Sequence, residues 1–357
     1  MLSRHRQCPV MYSSLERTQH IWIQICDKMN ASKELPLVLV EEIGGSYGVM
    51  EEHVDHLKER FTLITMKELK EKKENIAENI VGIFNWANKP DVDEEILKSL
   101  PKLKVIASAG AGVDHLNLKM ISSYGVKVAN TPNAVTNPTA DLAMTLLLVS
   151  ARSFLEGHKI AMSPDTDHFE ANWVSLGDIT GTTLGIIGMG RIGYKIAQRA
   201  KAFEMKILYH NRRQRLEEEK SVGATYCENL ADLLQQSDYV MLVVNLSPQT
   251  EKLIGRKEFK LMKPSATFIN VSRGPVVDQD ALVEALIEGE IKAAALDVTY
   301  PEPLPRDHPL LKLNNVILTP HMGTATRDSL RAMMEDMIQS MMDAVNGHPI
   351  SYEVADI

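Results

Sequence analysis

From Pro36 onward the chain alternates short, nearly continuous apolar runs with longer mixed segments. LVLVEE (37–42), FTLITM (61–66), IVGIFNW (80–86), KVIASAG (104–110) and VKVANT (126–131) are rich in β-branched residues and end at Gly, Asn or other turn signals, so each predicts a strand. A second series repeats the pattern: TLGIIG (183–188), KILYHN (206–211), YVMLVVN (239–245), TFINVS (267–272), AAALDV (293–298) and VILTP (316–320). Apolar residues fill successive positions instead of alternate ones, which predicts strands buried on both faces. Helical patterns such as VMEEHVDHLKERF and DEEILKSL fill the intervals. That alternation predicts βαβ units and two parallel-sheet α/β layers in one chain.

Between the two series, NPTADLAMTLLLVSAR (137–152) predicts a helix that is apolar nearly all round and buried where the domains meet. Asn137 is a suitable N-cap and Pro138 suits the first helical position. The last thirty residues predict another helix, with Leu330, Met333, Met337, Met341 and Ala344 along one face and Gly347 as its stop. Its methionines read as core packing.

A length of 357 residues exceeds one average domain, so two are expected. A net charge of -8 argues against a general nucleic-acid surface, which needs clustered Lys and Arg. Cys8, Cys26 and Cys227 lie far apart and share no metal-ligand spacing, so reduced thiols in an intracellular protein are expected, with no metal. The most apolar stretch, around Leu142 to Val149, is too short to span a bilayer. Residues 1–35 stand outside the α/β pattern. The first 33 carry Arg4, Arg6, Arg17 and Lys28 beside Glu16 and Asp27, without a hydrophobic signal core. They read either as a disordered extension of a cytoplasmic protein or as a mitochondrial presequence.

Gly188-Met189-Gly190-Arg191-Ile192-Gly193 is a GxGxxG string that follows a predicted strand and opens a predicted helix, the context in which it binds a dinucleotide. Gly188 permits the tight turn, Gly190 admits the pyrophosphate to the backbone, and Gly193 lets helix and strand pack closely. The helix start at Arg191 and Ile192 offers free amides and a positive dipole end to the phosphates. An NAD-specific site places an acid about 20 residues further on, for the ribose hydroxyls. Here that stretch reads Tyr209-His210-Asn211-Arg212-Arg213, with no acid before Glu217. Paired arginines without an acid suit a 2′-phosphate, so NADP(H) is the preferred cofactor, with NAD(H) possible.

Three segments begin at predicted strand ends: NVSRGPVVDQDAL (270–282), ALDVTYPEPLP (295–305) and LTPHMGTAT (318–326). The carboxyl edge of an open α/β sheet is where ligands bind, so Arg273, Glu302 and His321 are expected to converge there. Hydride transfer to a 2-oxo acid needs the carboxylate held, the carbonyl polarised and its oxygen protonated. Arginine supplies the first two through a planar charged fork, and histidine cycles a proton near neutral pH. A carboxylate beside the imidazole favours its charged form and fixes its orientation.

LGIIGMGRIG, NVSRGPVVDQDAL, ALDVTYPEPLP and TPHMGTAT together resemble the D-isomer-specific 2-hydroxyacid dehydrogenases, most closely their glyoxylate and hydroxypyruvate reductases, from about Pro36 to the C-terminus. The resemblance implies that Arg273 binds the substrate carboxylate and keto oxygen, and that Glu302 pairs with His321, the proton donor. It implies that Asp297 lies near the nicotinamide end of the cofactor, that Val271 contacts the cofactor, and that Gly323 lies beside substrate and nicotinamide. Ser108 to Asp114 matches the family's substrate loop, in which the amides of Ala111 and Gly112 reach the substrate carboxylate as an anion nest.

The implied architecture is two doubly wound parallel-sheet domains. A Rossmann cofactor domain (133–321) is inserted into a flavodoxin-like substrate domain (36–132 and 322–357), with hinge crossings near Asn133 and Pro320. A homodimer is implied, packed through helix 137–152 and the following loop, where Trp173 either reaches the partner's pocket or packs within its own subunit. A dinucleotide-sensing corepressor of the same fold can keep the same triad and remains the alternative. A phosphoglycerate dehydrogenase is the less favoured enzyme, since no regulatory domain follows the last helix here.

Overall fold

The computed structural model describes residues 34–71, 76–166, 168 and 177–354. The readings of residues 1–33 and of Trp173 fall outside them. Five strands, β1 (Leu37–Val40), β2 (Thr62–Thr65), β3 (Ile80–Asn85), β4 (Val105–Ser108) and β5 (Lys127–Ala129), form a parallel sheet in the order β2-β1-β3-β4-β5. Seven more form a second parallel sheet: β6 (Thr183–Ile187), β7 (Lys206–His210), β8 (Thr225–Tyr226), β9 (Tyr239–Leu242), β10 (Thr267–Asn270), β11 (Ala293–Leu296) and β12 (Val316–Leu318). Their order is β12-β11-β10-β9-β6-β7-β8. The first order is the flavodoxin-like one, and the second extends the dinucleotide-binding order by one strand at its edge. Every run expected to be a strand contains one. The two-residue β8 was not anticipated, because so short a segment leaves no hydrophobic pattern.

Helices α1 (Glu51–Lys58), α2 (Met66–Glu71), α3 (Glu94–Ser99) and α4 (Leu118–Ser123) belong to the first series, and α5 (Thr136–Ala151) and α6 (Phe154–Met162) lead into the second. Then come α7 (Arg191–Ala202), α8 (Leu216–Val222), α9 (Leu230–Gln236), α10 (Arg256–Leu261), α11 (Gln279–Ile287) and α12 (Arg327–Asn346).

Both sheets are covered on both faces, which is why their strands are apolar at successive positions. On one face of the seven-stranded sheet, Ala140, Ala143 and Leu147 of α5 and Ile196, Ala197 and Ala200 of α7 pack over Ile186, Met241 and Ala295. On the other face, Phe259 meets Phe268 edge-on at 5.4 Å, beside Leu233, Leu282 and Leu286. In the five-stranded sheet Met333, Met337 and Met341 of α12 are buried against Val38, Phe84 and Ala107. The C-terminal helix therefore returns to the first sheet. Each of those methionines contributes about 1.5–3 kcal/mol of burial, an upper estimate. Gly347 ends α12 in the left-handed region, at φ 75°, where only glycine avoids a steric cost. Beyond it the Asn130 amide donates to the Tyr352 carbonyl and the Val354 amide to the Val128 carbonyl, which covers the open edge of β5.

Helix α5 departs from expectation at its start and in its surroundings. It begins at Thr136 behind Val135, which makes no side-chain cap, so Asn137 is not the cap. Pro138 is tolerated because the first four helical amides have no intrahelical acceptor anyway. The helix is sunk into the seven-stranded sheet and α7, but Asn137, Asp141 and Thr145 form an exposed polar stripe. Among the described residues no helix is long and apolar enough to cross a membrane, and no group of three His, Cys, Asp or Glu is placed to hold a metal ion.

Candidate active site

Strand register decides what can meet. Ile187 of β6 is level with His210 of β7 and with Leu242 of β9, while Asn270 of β10 is level with Leu242 and with Leu296 of β11. Leu296 is in turn level with Leu318 of β12. All the strands are parallel, so the loops after them open at one sheet edge. That edge carries the glycine loop, Asn211 to Arg213, Arg273, Asp297 and His321. The strand order reverses between β6 and β9, which opens a crevice there.

The glycine loop sits at that crevice. Gly188 has φ 110°, and a Cβ on it would lie 2.3 Å from the Val243 carbonyl oxygen. A Cβ on Gly193 would lie 2.0 Å from the Gly188 carbonyl oxygen. Both positions therefore require glycine for backbone contact. A Cβ on Gly190 would meet nothing within 4 Å, so open space stands in front of the start of α7. The loop fits a dinucleotide phosphate. Asn211 has a bracing position: its Oδ1 accepts the Met189 amide at 2.7 Å. Arg212 and Arg213 are exposed, and neither has an ion-pair partner among the described residues. Their neighbour Arg215 pairs with Glu218. Val271 is buried beneath this edge and donates its amide to the Leu242 carbonyl.

His321 follows β12 with φ 52°, an uncommon conformation for a non-glycine residue, and the structure around it is built to hold it there. Its amide donates to the Asp297 carbonyl at 2.8 Å. The buried Asp297 carboxylate takes three more bonds from the same loop: Oδ1 accepts the Thr319 hydroxyl at 2.6 Å and the Met322 amide at 2.8 Å, and Oδ2 accepts the Gly323 amide at 2.9 Å. Asp297 and Gly323 thus lie side by side beneath His321. The His321 Nδ1 is 2.8 Å from the Glu302 Oε2, which leaves Nε2 as the nitrogen available to a ligand. Burial pushes the Glu302 carboxyl up, but the His321 hydrogen bond and charge outweigh it, helped by the Thr299 amide and the Arg273 charge. The net result holds the carboxyl below the ordinary range. The arrangement sets an imidazole nitrogen against a carboxylate whose charged form is favoured.

Arg273 follows β10. Asn270, almost wholly buried, accepts the Ser272 amide and hydroxyl at 2.9 Å each and donates to the Arg273 carbonyl at 3.1 Å, fixing the turn. The guanidinium donates from Nη1 to the Ser272 carbonyl at 2.9 Å and from Nε to the Asp114 Oδ1 at 3.0 Å. Asp114 belongs to the loop after β4, so this ion pair joins the two sheets. A Cβ on Gly112 would lie 2.0 Å from Arg273 Nη2, and the tethered guanidinium has little freedom to retreat. In the same loop the Gly110 amide donates to the Thr131 hydroxyl and the Ala111 carbonyl accepts from Asn130, while the amides of Ala111, Gly112 and Val113 meet no acceptor among the described residues. His115 supports the loop from behind, its Nε2 2.8 Å from the Asn85 Oδ1. Burial lowers its pKa and favours the neutral ring; nearby Asp114 opposes that and Arg273 adds to it.

A cleft of about 1350 Å³ runs between the sheets, lined by Gly112, Asp114, Ile192, Val271, Arg273 and Tyr300 among others. Glu302 and His321 do not line it, although Arg273 lies near enough to stabilise the Glu302 charge. The roles of Asp114, Asn270 and Thr319 in holding the site are among those that sequence alone does not assign. Only Asn270 left a signal, an Asn at a strand end followed by Ser, as in a side-chain-closed turn.

A dinucleotide crevice and a His–Glu pair at one sheet edge, with an arginine close by, define a nucleotide-dependent oxidoreductase. Residues 144–323 match the family model for the NAD binding domain of the D-isomer specific 2-hydroxyacid dehydrogenases. Over 300 residues, 82% of this chain and 91% of the relative, the chain is 41% identical to a glyoxylate/hydroxypyruvate reductase B of Enterobacter sp.. It is 43% identical over 260 residues to a glyoxylate reductase of Thermococcus litoralis, covering 72% of this chain and 78% of the relative. The crystal structure of an NADPH-dependent glyoxylate/hydroxypyruvate reductase from Sinorhizobium meliloti, in complex with NADP and malonate, superposes with a TM-score of 0.78 at 27% identity, covering 90% of this chain and 97% of that one. The chain belongs to the D-isomer specific 2-hydroxyacid dehydrogenase family and is an NAD(P)-dependent dehydrogenase.

Proposed function

We propose that this enzyme reduces a small 2-oxo acid, glyoxylate or hydroxypyruvate, with NADPH as the preferred reductant. The convergence of Arg273 with the Glu302–His321 pair at the crevice edge carries the proposal, and the names of the relatives support its substrate class. The bound nicotinamide supplies the hydride. The residues of the chain do the rest: the free edge of the Arg273 guanidinium and the amides of Ala111 and Gly112, which meet no acceptor among the described residues, hold the carboxylate, and Arg273 also polarises the keto group. His321 gives its Nε2 proton to the keto oxygen, and Glu302 steadies the imidazole through Nδ1. Asp297 holds the His321 loop in position.

The 2′-phosphate preference is supported by Arg212 and Arg213 at the end of β7, exposed and without an ion-pair partner among the described residues, with Asn211 bracing the glycine loop from its Oδ1. Charge-assisted contacts of this kind contribute on the order of 1.5–3 kcal/mol before discounting for exposure, which leaves roughly a tenfold preference. The domain division at 36–132 with 322–357 and at 133–321 is likewise a proposal, with crossings near Asn133 and Pro320 acting as a hinge that closes the site against water. Cytoplasmic placement and a homodimer complete it. Helix α6 supports the dimer, since none of its residues is buried and Phe154 (60% exposed), Leu155 and Met162 (72%) face solvent.

The test is a panel of 2-oxo acids assayed with NADPH and NADH on the parent and on the Arg212→Ala/Arg213→Ala double variant. Selective loss of NADPH use in the variant is the expected result. Equal efficiency with both reductants in the parent would remove the preference without touching the enzyme class. No reduction of either acid would remove the substrate assignment.

A further inference from the structure

Glu302 can serve His321 only if the turn that carries it, residues 299–303, keeps its place. Within the turn, the Thr299 amide donates to the Glu302 Oε1 at 3.0 Å and the Thr299 hydroxyl donates to the Pro301 carbonyl at 3.2 Å. These bonds shape the turn but do not attach it to the rest of the molecule. Two contacts do. The first is Gly274, directly after Arg273: a Cβ there would lie 2.0 Å from the Thr299 carbonyl oxygen and 2.7 Å from the Tyr300 nitrogen, so the turn rests on the glycine backbone. The second is Gln279, the first residue of α11. Its Oε1 accepts the Tyr300 amide at 3.0 Å, and its Nε2 donates to the Tyr300 carbonyl at 2.8 Å.

This two-way bond between a side-chain amide and one residue's peptide groups fixes which end of the glutamine is oxygen, because only that orientation satisfies both. The Gln279 Nε2 also lies 3.1 Å from the Nε2 of His308, whose ring accepts the Leu310 amide at Nδ1. The start of α11 is held independently, by the Asp278 side chain accepting the Ala281 amide. Gln279 is therefore not needed to begin its helix, and its side chain is committed to the turn.

We infer that Gln279 is a positioning residue for the Glu302–His321 pair, acting as a clamp on the Tyr300 backbone two residues before Glu302. The inference rests on the reductase reading above. The clamp also ties the Glu302 turn to the segment that carries Arg273, since α11 follows that segment directly. The two chemical groups on separate strand ends then move as one unit.

The test uses the full chain and the variants Gln279→Ala, Gln279→Glu, Glu302→Gln and Gln279→Ala/Glu302→Gln, assayed with glyoxylate and NADPH. Gln279→Ala should lower kcat about tenfold with KM for glyoxylate within about twofold. Gln279→Glu keeps the acceptor for the Tyr300 amide but sets a carboxylate oxygen against the Tyr300 carbonyl, two acceptors face to face, and should lower kcat at least as far as Ala. In the Glu302→Gln background the Ala change should add little, because both act through one group. An independent reading needs no turnover: the Glu302 carboxyl, followed by carbon NMR and assigned with Glu302→Gln, faces the charges of His321 and Arg273 and should titrate at higher pH in Gln279→Ala.

An unchanged kcat, a rise in KM alone, the full tenfold loss in the Glu302→Gln background, or an unmoved Glu302 titration would each overturn the clamp. A parent that reduces neither oxo acid would overturn the reductase reading instead, while the NMR titration still decides the clamp.

Discussion

The loops at the two sheet edges that face the cleft are held in opposite ways. Along the seven-stranded sheet three buried or half-buried side chains at strand ends tie the loops that carry the candidate residues: Asn211 to Met189, Asn270 to Ser272 and Arg273, and Asp297 to Thr319, Met322 and Gly323. Along the five-stranded sheet, the loop after β4 is tied at Gly110 and Ala111 and then leaves three successive amides without an acceptor among the described residues. Tied loops keep reacting groups at fixed distances, while unpartnered amides are what an anion can bind. In the proposed mechanism the first edge carries out the chemistry and the second helps to capture the substrate, and the Arg273–Asp114 pair is where they touch.

That division can be broken most severely at His321. His321→Ala should lower kcat by about 10²–10⁴-fold, the range for a lost general acid, while NADPH affinity by fluorescence titration stays within about twofold. A variant that turns over like the parent would move the chemistry elsewhere. Next in size is Asp297→Ala, which strips one acceptor group from three donors in a buried place. It should reduce stability by about 2–4 kcal/mol in urea unfolding, together with turnover, because unsatisfied buried donors keep their desolvation cost. A stability equal to the parent's would show that the loop holds without its carboxylate.

On the capturing edge, Gly112→Ala sharpens the contrast. Its Cβ would crowd Arg273 Nη2 and strain the Arg273–Asp114 pair, so KM for the oxo acid should rise about tenfold and the thermal midpoint should fall slightly. Unchanged KM would exclude this loop from substrate binding. The smallest effect concerns pH. Because the Glu302 carboxyl is held below its ordinary value in the folded protein, its stabilising contribution is fully present above the ordinary carboxylate range and disappears as pH falls through the depressed value. With more than a third of the side chain exposed, the contribution should stay below about 1 kcal/mol. Thermal midpoints of the parent and Glu302→Gln should therefore differ slightly at pH 7 and converge at strongly acidic pH. A gap that widens in acid would reverse the sign and the assignment.

Local sequence determined a great deal here. Continuous apolar runs specified doubly covered parallel strands, because a strand with no polar face has nowhere to turn toward water. The spacing of Gly188, Gly190 and Gly193 specified a close backbone turn, since two of these positions admit no Cβ. The methionine face of α12 and its stop at Gly347 could be read from helical periodicity alone. Tertiary structure decided what periodicity does not encode. Asp114 and Arg273 are 159 positions apart and Asp297 and Gly323 are 26 apart, so their pairing depends on strand order and register, not on local pattern. Likewise Asn211 could be read from the chain only as a residue near a ribose, and its bond to Met189 exists because β6 and β7 lie side by side. The cap of α5 lies at Val135 instead of Asn137, and its first residue at Thr136 instead of Pro138, for the same kind of reason, the burial of Thr136 and Val135 outweighing a favourable side-chain cap. Pattern sets which elements form, because each residue's preference acts within a turn or a strand. Which side chains meet at the site is set by the packing of the sheets, because that alone brings distant strand ends to one edge.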